Sequence, residues 1–468
     1  MNAGEGSILS ERELENLHFS EAPKIVVKPP GPKSREICQR QDLLESAAVS
    51  YPKSVPLAFE EGKGATLKDV DGNVYIDFLA GAGTVNVGHC NPEVVKAVKQ
   101  QVERLMHCLD FPTPIRMELV EELLSLLPTK QRDNAKIFFV APTGADAVEA
   151  AIKLAKYNTR RIGLISFEGA YHGMTAATLT LTTHKEFKEN FVPMIPEVHF
   201  APYAYCYRCV FGKEYPECDL ECAKYFEHLF EDPDSGIVKP AAIIIEPVQG
   251  EGGSIPPPEK FVTEIRRIAT ENSVPLIVDE IQAGMCRTGK MWACEHSGII
   301  PDIMTVSKGI GGGLPLSVLV FDKKLDLWEK GAHVGTFRGN VVAIAASVAT
   351  LRFIKKHKLW NHTAKLGSQV FLPRLEELKQ ESKYVGDVRG KGLMIGIEFV
   401  KDKKTKKPWP EIVQAVRKTC YEKGLITEVG GHYQNVIRFL PPLVLTKQLA
   451  ETGIDIFAEA LKTVEAAS

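Results

Sequence analysis

The chain has little of what marks a membrane, secreted or nucleic-acid-binding protein. Its 468 residues contain no apolar run near the roughly 20 residues that a membrane-spanning helix needs. Its net charge is only -2, so there is no excess of positive charge to bind nucleic acid or an anionic membrane. The N-terminus is polar and acidic and lacks the apolar core of a signal peptide. We therefore expect a cytoplasmic protein with neither nucleic-acid nor membrane partners.

Internal repeats and low-complexity tracts are also absent from the sequence, which argues against a repeat protein. The composition, 44% hydrophobic and 25% charged, is that of an ordinary globular protein. The length is enough for a large core and a second, smaller domain.

Short apolar runs alternate with amphipathic helical stretches between about residues 135 and 322, a pattern typical of a mainly parallel sheet covered by helices on both faces. The runs are KIFFV, GLISF, AAIIIEPV, PLIVDE, IMTVSKG and LSVLVFD. The sequence therefore predicts an α/β fold. We expect an N-terminal arm over residues 1–60 and a large domain over 61–345. Over 346–468 we expect a smaller α+β domain, against which the first part of the large domain packs.

A lysine and an aspartate end two consecutive predicted strands. Asp279 follows the run PLIV, and Lys308 follows IMTVS 29 residues later. Either residue alone is common at a strand end. Together they form the pair that pyridoxal phosphate needs, because the lysine forms the Schiff base and the acid keeps the pyridine nitrogen protonated. A lysine freed from the cofactor is also a natural general base.

A predicted phosphate site follows the first strand of this region. Thr143 and Gly144 form a turn that runs directly into an Ala-rich helix beginning near Ala145. Free N–H groups in the first turn of a helix bind phosphate, and a glycine allows close approach. Alone, such a turn is only a strand-to-helix connection.

Two other strand ends carry residues of chemical interest. Tyr171 and His172 follow GLISF, and an aromatic side chain there can stack on a planar cofactor. Glu246 ends AAIII, and Glu251 follows among glycines. Buried carboxylates need a cationic or hydrogen-bonding partner, and Arg438 within the apolar run VIRFL is a candidate.

Four cysteines are concentrated in one segment with the spacing C-x2-C-x8-C-x3-C. They are Cys206, Cys209, Cys218 and Cys222. Four thiolates at such spacing can hold a structural zinc ion. The alternatives are a surface insertion with free thiols, as expected in a reducing cytoplasm, or a disulfide.

Taken together, the motifs resemble those of the class III aminotransferases, the ornithine/4-aminobutyrate type of pyridoxal phosphate fold type I. The resemblance covers roughly residues 60–465. Its motifs are DVDGNVYIDFLAG, PTGADAVEAAIK, AYHGMT, IEPVQGEGG, VDEIQAGMCRTGK, SKGIGGGLPL, GTFRGN, GDVRGKGLMIGIEF and VIRFLPPL. It implies a large domain with a mainly parallel sheet of the seven-stranded type and a smaller C-terminal domain.

The resemblance also implies roles for particular residues. Gln282 resembles the residue that bonds the cofactor phenolic oxygen, and Thr336 resembles the threonine that reaches the phosphate of the partner subunit. This implies a homodimer with shared active sites, with higher oligomers left open. The positions implied to bind the cofactor are Thr143, Gly144, Ala145, Tyr171, His172, Glu246, Asp279, Gln282, Lys308 and Thr336.

Substrate recognition is implied for Glu251 and Arg438, which match the switch pair of the family. Arg438 would bind the α-carboxylate of 2-oxoglutarate or glutamate, and Glu251 would neutralise the arginine when an ω-amino group reacts. Many family members have an arginine for the distal carboxylate where this chain has Met174. The subgroup acting on 2,4-diaminobutyrate also has a methionine there, and the chain resembles that subgroup in AYCYRCVFG and GLITEVGG.

The expected reaction is transfer of the terminal amine of 2,4-diaminobutyrate to 2-oxoglutarate by a ping-pong mechanism. Ornithine or 4-aminobutyrate are alternative donors. A pyridoxal phosphate-dependent amino-acid racemase of the same fold is a second alternative, although it needs a second base that the sequence does not clearly offer. A binding protein without catalysis is a third alternative, which the intact lysine and aspartate disfavour.

Overall fold

The computed structural model describes residues 10–467. The first nine residues of the predicted N-terminal arm, and Ser468, lie outside that range. Among the described residues no helix is long and apolar enough to cross a bilayer.

Two compact units are distinguished within the described range. The first contains the residues up to Pro92 and those from Lys355 onward, and the second contains Glu93–Ile354. The boundaries predicted from the sequence, after residues 60 and 345, stay a prediction.

Strands and helices alternate along most of the chain. The strands are β1 Phe59–Lys63, β2 Thr66–Asp69, β3 Val74–Asp77, β4 Ala135–Phe139, β5 Leu164–Phe167, β6 Val198–Ala201, β7 Ala242–Ile245, β8 Leu276–Asp279, β9 Ile303–Val306, β10 Val318–Asp322, β11 Val385–Lys391, β12 Met394–Phe399, β13 Leu425–Ile426, β14 Glu428–Gly430 and β15 Val436–Phe439. The helices are α1 Glu11–Glu15, α2 Pro32–Leu44, α3 Tyr51–Ser54, α4 Ala80–Gly83, α5 Pro92–Val102, α6 Pro114–Ser125, α7 Thr129–Arg132, α8 Gly144–Thr159, α9 Ala176–Leu181, α10 Lys185–Lys188, α11 Glu221–Glu231, α12 Glu259–Glu271, α13 Val341–His357, α14 Leu359–Leu366, α15 Leu372–Glu381, α16 Pro410–Glu422 and α17 Lys447–Ala467.

The second unit is built on a seven-stranded sheet with the order β4-β10-β9-β8-β7-β5-β6. Its strands from β9 to β6 in this order run parallel to one another. Strand β10 is antiparallel to both β9 and β4. All six predicted apolar runs form strands of this sheet, and β6 is the seventh. The α/β fold with a mainly parallel sheet is therefore confirmed.

Helix α8 packs on this sheet through a face of small residues. Its buried positions are Ala147, Val148, Ala150, Ala151, Ile152, Leu154 and Ala155. Because alanine side chains are short, the helix axis can lie close to the buried strands β7 and β9. The N-terminus of α8 is thereby fixed beside the carboxyl ends of the parallel strands.

The first unit contains two four-stranded sheets. One has the order β1-β2-β3-β13 and the other the order β11-β12-β15-β14. A hairpin turn at Asp71–Asn73 joins β2 to β3. The Asp69 carboxylate accepts hydrogen bonds from the backbone N–H groups of Asp71 and Asn73, which closes the turn.

Aromatic rings fill the core of the first unit. Phe439 on β15 lies 5.0 Å from Phe78 and 5.2 Å from Phe457 between ring centroids, and Phe78 lies 5.4 Å from Phe371. All four rings are essentially fully buried. Edge-to-face contacts of this kind add to the stabilisation from buried area.

Replacing Phe439 with alanine should lower the free energy of unfolding by about 3–5 kcal/mol, since it removes a large buried side chain and leaves a cavity. Urea denaturation followed by circular dichroism measures the change. Phe59→Ala is the matched control because Phe59 is 41% exposed. Equal losses for the two variants would show that this aromatic cluster contributes no more than a surface contact.

Candidate active site

The carboxyl ends of β5, β7, β8 and β9 meet at one edge of the seven-stranded sheet. Asp279 is the last residue of β8, and its Cα partner on β9 is Thr305. Lys308 follows Thr305 by three residues, and Glu246 directly follows β7. Since neighbouring parallel strands end together, the sheet brings the acid and the lysine to adjacent positions.

Asp279 is held by three hydrogen bonds although it is only 4% exposed. Its Oδ2 atom lies 2.7 Å from Nδ1 of His172. Its Oδ1 atom accepts from Thr305 Oγ1 at 3.2 Å and from the backbone N–H of Ile281 at 3.0 Å. A buried carboxylate with such donors is fixed in orientation.

His172 is itself fixed from both sides. Its side chain is fully buried, and its backbone N–H donates to Thr182 Oγ1 at 3.0 Å. Since Nδ1 is engaged with Asp279, this ring orients the carboxylate.

Lys308 has a left-handed backbone conformation, with φ of +48°. It is half-buried and begins the 3₁₀ turn Lys308–Gly311. A left-handed conformation is unfavourable for lysine and must be held by the surrounding structure. The preceding Ser307 donates its hydroxyl to the Leu316 carbonyl at 3.0 Å, which anchors the turn.

Helix α8 begins with a capping box. Thr143 accepts from the backbone N–H of Asp146, and the Asp146 carboxylate accepts from the N–H of Thr143 at 2.9 Å. The N–H groups of Gly144 and Ala145 have no hydrogen-bond acceptor among residues 10–467. A Cβ atom at Gly144 would lie 2.9 Å from the Ile281 side chain, so the turn packs directly against the loop after Asp279. Two such N–H groups at a helix N-terminus fit a phosphate.

Glu246 accepts hydrogen bonds from backbone groups. Its Oε2 atom accepts from the N–H of Tyr171 at 3.1 Å and its Oε1 atom from the N–H of Gly250 at 3.0 Å. Burial raises the pKa of Glu246 to about 7, and the nearby Asp279 charge acts in the same direction. Arg438 was a candidate partner for Glu246 and Glu251, but backbone N–H groups supply both hydrogen bonds found for Glu246.

The remaining predicted site residues are placed as follows. Burial, together with the charges of Glu251 and Glu246, raises the pKa of Tyr171, whose ring packs edge-on against Phe187 at 6.0 Å. Gln282 and Glu251 are half-buried, and Thr336 is exposed.

Met174 and Arg438 are, with Glu251, the positions implied in substrate recognition. Met174 is 48% exposed. Arg438 belongs to the first unit, where it lies on β15 between Gly396 on β12 and Glu428 on β14.

Two residues that support the site were missed from the sequence. Thr305 donates to Asp279, and a polar residue within the apolar run IMTVS was the signal. Glu280 is buried and accepts from the N–H groups of Ala293 at 2.8 Å and Cys294 at 2.7 Å, and burial raises its pKa to about 7. Its position inside the DEIQ motif gave no sign of these backbone partners.

The four-cysteine segment gives no support to a zinc site. Cys206 begins a 3₁₀ turn, and Cys222 lies in the first turn of α11, where burial raises the pKa of its thiol to about 12. The ten cysteines all lie within the described range, and none of them is in a disulfide there. Within residues 10–467 no group of three or more His, Cys, Asp or Glu side chains is arranged to hold a metal ion. The zinc hypothesis stays untested.

The residues at the sheet edge fit pyridoxal phosphate. A buried, oriented carboxylate for the pyridine nitrogen ends one strand, and the lysine follows the neighbouring strand. The two N–H groups that have no acceptor begin the helix packed beside them. These are the donor set, the charge and the reactive amine that this cofactor requires.

The chain was compared with known proteins. The family model for class-III aminotransferases matches residues 47–461. A diaminobutyrate–2-oxoglutarate aminotransferase of Rhizobium meliloti (strain 1021) is 44% identical over 87% of this chain and 88% of that protein. An alanine/serine racemase of Pyrococcus horikoshii is 38% identical over 94% of this chain and 93% of that protein.

The fold also matches solved structures over most of the chain. An ornithine aminotransferase structure from Toxoplasma gondii, described with partial occupancy of PLP at its active site, has a TM-score of 0.79 and 26% identity. The match covers 93% of this chain and 95% of that one.

Substituting His172 with alanine should weaken the affinity for pyridoxal phosphate about ten- to a hundredfold, because the Asp279 carboxylate loses a charge-assisted hydrogen bond that orients it. Titration of the apoenzyme with the cofactor, followed by absorbance, gives the dissociation constant.

The control is His89→Ala, which breaks a His–Asp pair of the same 2.7 Å length in the first unit. We expect this variant to lose stability while keeping its cofactor affinity. Unchanged affinity in the His172 variant would contradict the role of the imidazole.

Proposed function

The chain belongs to the class-III aminotransferase family, and we propose that it transfers the terminal amino group of L-2,4-diaminobutyrate to 2-oxoglutarate. The substrate proposal rests on the 44% identical relative that is named for this reaction. The catalytic part of the proposal is supported by the pairing of Asp279 on β8 with Thr305 on β9. Lys308 follows Thr305 by three residues, so it lies just beyond the end of the strand next to that of the acid. A cytoplasmic location is part of the same proposal.

Pyridoxal phosphate is the cofactor of this family, and when bound it supplies the electron sink for proton removal next to nitrogen. Asp279, oriented by His172, would hold the pyridine nitrogen protonated. The N–H groups of Gly144 and Ala145 would bind the phosphate, and Tyr171 would cover a face of the ring. Gln282 would bond the phenolic oxygen.

Lys308 would act twice. Its Nζ atom would hold the resting cofactor covalently and, once released by the donor amine, would move the proton from the amine-bearing carbon. The half-buried position and the fixed 3₁₀ turn limit the space through which the amine moves. Such restriction favours one proton path.

Recognition of the two substrates would depend on Arg438, Glu251 and Met174. We assign the α-carboxylate of 2-oxoglutarate to Arg438 and a competing negative charge to Glu251. Met174 stands where many family members have an arginine that binds the distal carboxylate of the substrate. Without that arginine, a donor is favoured whose distal end carries an ammonium group beside the carboxylate, as 2,4-diaminobutyrate does.

A racemase is the alternative that the comparisons keep in view, since two relatives, each 38% identical, are named as racemases. Racemisation needs a second base on the opposite face of the cofactor. The imidazole of His172 is at this sheet edge, but its Nδ1 atom lies 2.7 Å from Oδ2 of Asp279 and its side chain is fully buried. This arrangement supports transamination over racemisation.

Mixing the enzyme with L-2,4-diaminobutyrate alone should convert the cofactor stoichiometrically to its amine form, and later addition of 2-oxoglutarate should give glutamate. Cofactor absorbance and glutamate yield follow the two steps. Ornithine and 4-aminobutyrate serve as competing donors, and a faster half-reaction with either would replace the proposed donor. An unchanged cofactor spectrum, with α-deuterium loss and a D-amino acid as product, would establish the racemase.

The proposed homodimer is supported by an apolar surface on the second unit. Its side chains are each at least 40% exposed, and they are Val102, Leu105, Met106, Leu109, Phe111, Met117, Leu327, Val334 and Phe337. The two segments that form it are joined, since Asn340 Nδ2 donates to the Met106 carbonyl at 3.0 Å. Exposed apolar residues in such number mark an interface, and Thr336 lies among them.

If Thr336 completes the phosphate site of a second copy, mixing two inactive variants restores activity. In a hybrid of Lys308→Ala and Thr336→Ala subunits, one site receives both an intact lysine and an intact threonine. The activity of the refolded mixture should exceed that of either variant. The control mixture, Lys308→Ala with Asp279→Ala, should stay inactive because both residues belong to the same sheet edge. Equal behaviour of the two mixtures would exclude shared sites.

A further inference from the structure

Two loops at the sheet edge are joined along their length. The stacking loop, residues 168–172, follows β5 and carries Tyr171. The gate loop, residues 246–253, follows β7 and carries Glu251. Gln249 Nε2 donates to the Glu168 carbonyl at 2.7 Å, and a Cβ atom on Gly252 would lie 2.6 Å from the Gly169 carbonyl oxygen.

Glu246 spans the junction between these loops. One carboxylate oxygen accepts from Tyr171 in the stacking loop, and the other accepts from Gly250 in the gate loop. The carboxylate is almost completely buried, so water does not replace either acceptor easily. A single side chain therefore fixes the backbone of both loops at the residues next to Glu251 and His172.

The main chain around Glu246 is also anchored. Its carbonyl accepts from the Tyr203 hydroxyl at 3.1 Å. The gate loop is closed by paired backbone hydrogen bonds between Gln249 and Ile255, at 3.1 and 2.9 Å. Because its base is fixed, the Glu246 carboxylate is a rigid link.

We propose that Glu246 is a positioning residue that couples the stacking loop to the gate loop, so that cofactor covering by Tyr171 and carboxylate discrimination by Glu251 depend on one side chain. This inference rests on the proposed function for the roles of Tyr171 and Glu251. The coupling itself is a property of the chain and can be measured without substrate.

Glu246→Gln tests the coupling with little change of shape. The amide keeps one acceptor oxygen but turns an NH2 group toward the second N–H donor, so one of the two backbone hydrogen bonds is lost. Hydrogen–deuterium exchange of the apoenzyme should quicken about tenfold in peptides from both loops together, as expected for one lost hydrogen bond to a charged group.

Glu280→Gln is the matched control. Glu280 is also buried, accepts two backbone N–H groups and lies one strand away, but its donors belong to residues 293–294. This variant should quicken exchange around residues 281–295 and leave both loops unchanged.

Gly252→Ala is a second variant that acts on the same junction. Its added methyl group would press on the Gly169 carbonyl, so exchange should again rise in both loops. This variant decides the question if Glu246→Gln does not fold. Exchange that rises in one loop alone, or in neither, would overturn the coupling.

In the loaded enzyme, Glu246→Gln should weaken cofactor affinity and raise KM for 2-oxoglutarate together, each by about tenfold. A fall in Tm with both constants unchanged would mean that Glu246 serves stability only. If diaminobutyrate proves to be the wrong donor, the apoenzyme exchange result is unaffected, so the two failures are distinguishable.

Discussion

The parallel register of β5, β7, β8 and β9 is the constraint on which the site depends. Neighbouring parallel strands end at one edge, so the residues that follow them converge whatever their distance in sequence. His172 and Asp279 are 107 residues apart and lie 2.7 Å apart between Nδ1 and Oδ2. A one-residue slip of β8 against β9 would turn Asp279 to the other face of the sheet. The apolar side chains that hold these strands in register therefore fix the positions of the site residues as well as stabilise the fold.

The convergence of strands at this edge also buries three carboxyl groups, and each is satisfied by only two or three hydrogen-bond donors. Asp279 has an imidazole, a hydroxyl and an N–H group as donors. Glu246 and Glu280 each have two backbone N–H groups instead, and burial raises the pKa of both carboxyls to about 7. Of these three carboxylates, the one assigned to the pyridine nitrogen is hydrogen-bonded to an imidazole, which fixes its orientation.

Much of the second unit could be predicted from the sequence because its strands are short, fully apolar runs bounded by polar residues. Asp279 and Lys308 were predictable for the same reason, since each follows such a run. Strand β6 was not predicted, because His199 interrupts the apolar run in VHFA. The antiparallel direction of β10 was not predicted either. It follows from a connection of only 11 residues after Val306, which holds a 3₁₀ turn and no crossover helix.

The site residues that escaped prediction act through groups without a sequence signature. Every residue but proline carries a backbone N–H, so nothing in the sequence pointed to Tyr171 and Gly250 as donors to Glu246. Arginine was the expected partner because buried charges attract opposite charges. The backbone can satisfy a buried carboxylate equally well once two loops are brought together.

The central claim is that Lys308 is the residue that holds the cofactor at this edge. Borohydride reduction of the loaded enzyme makes the lysine–cofactor bond permanent, and proteolysis with mass spectrometry then locates the modified lysine. We expect a single modified peptide, and we expect it to contain Lys308. Modification of another lysine, or a Lys308 peptide recovered unmodified from enzyme with bound cofactor, would contradict it.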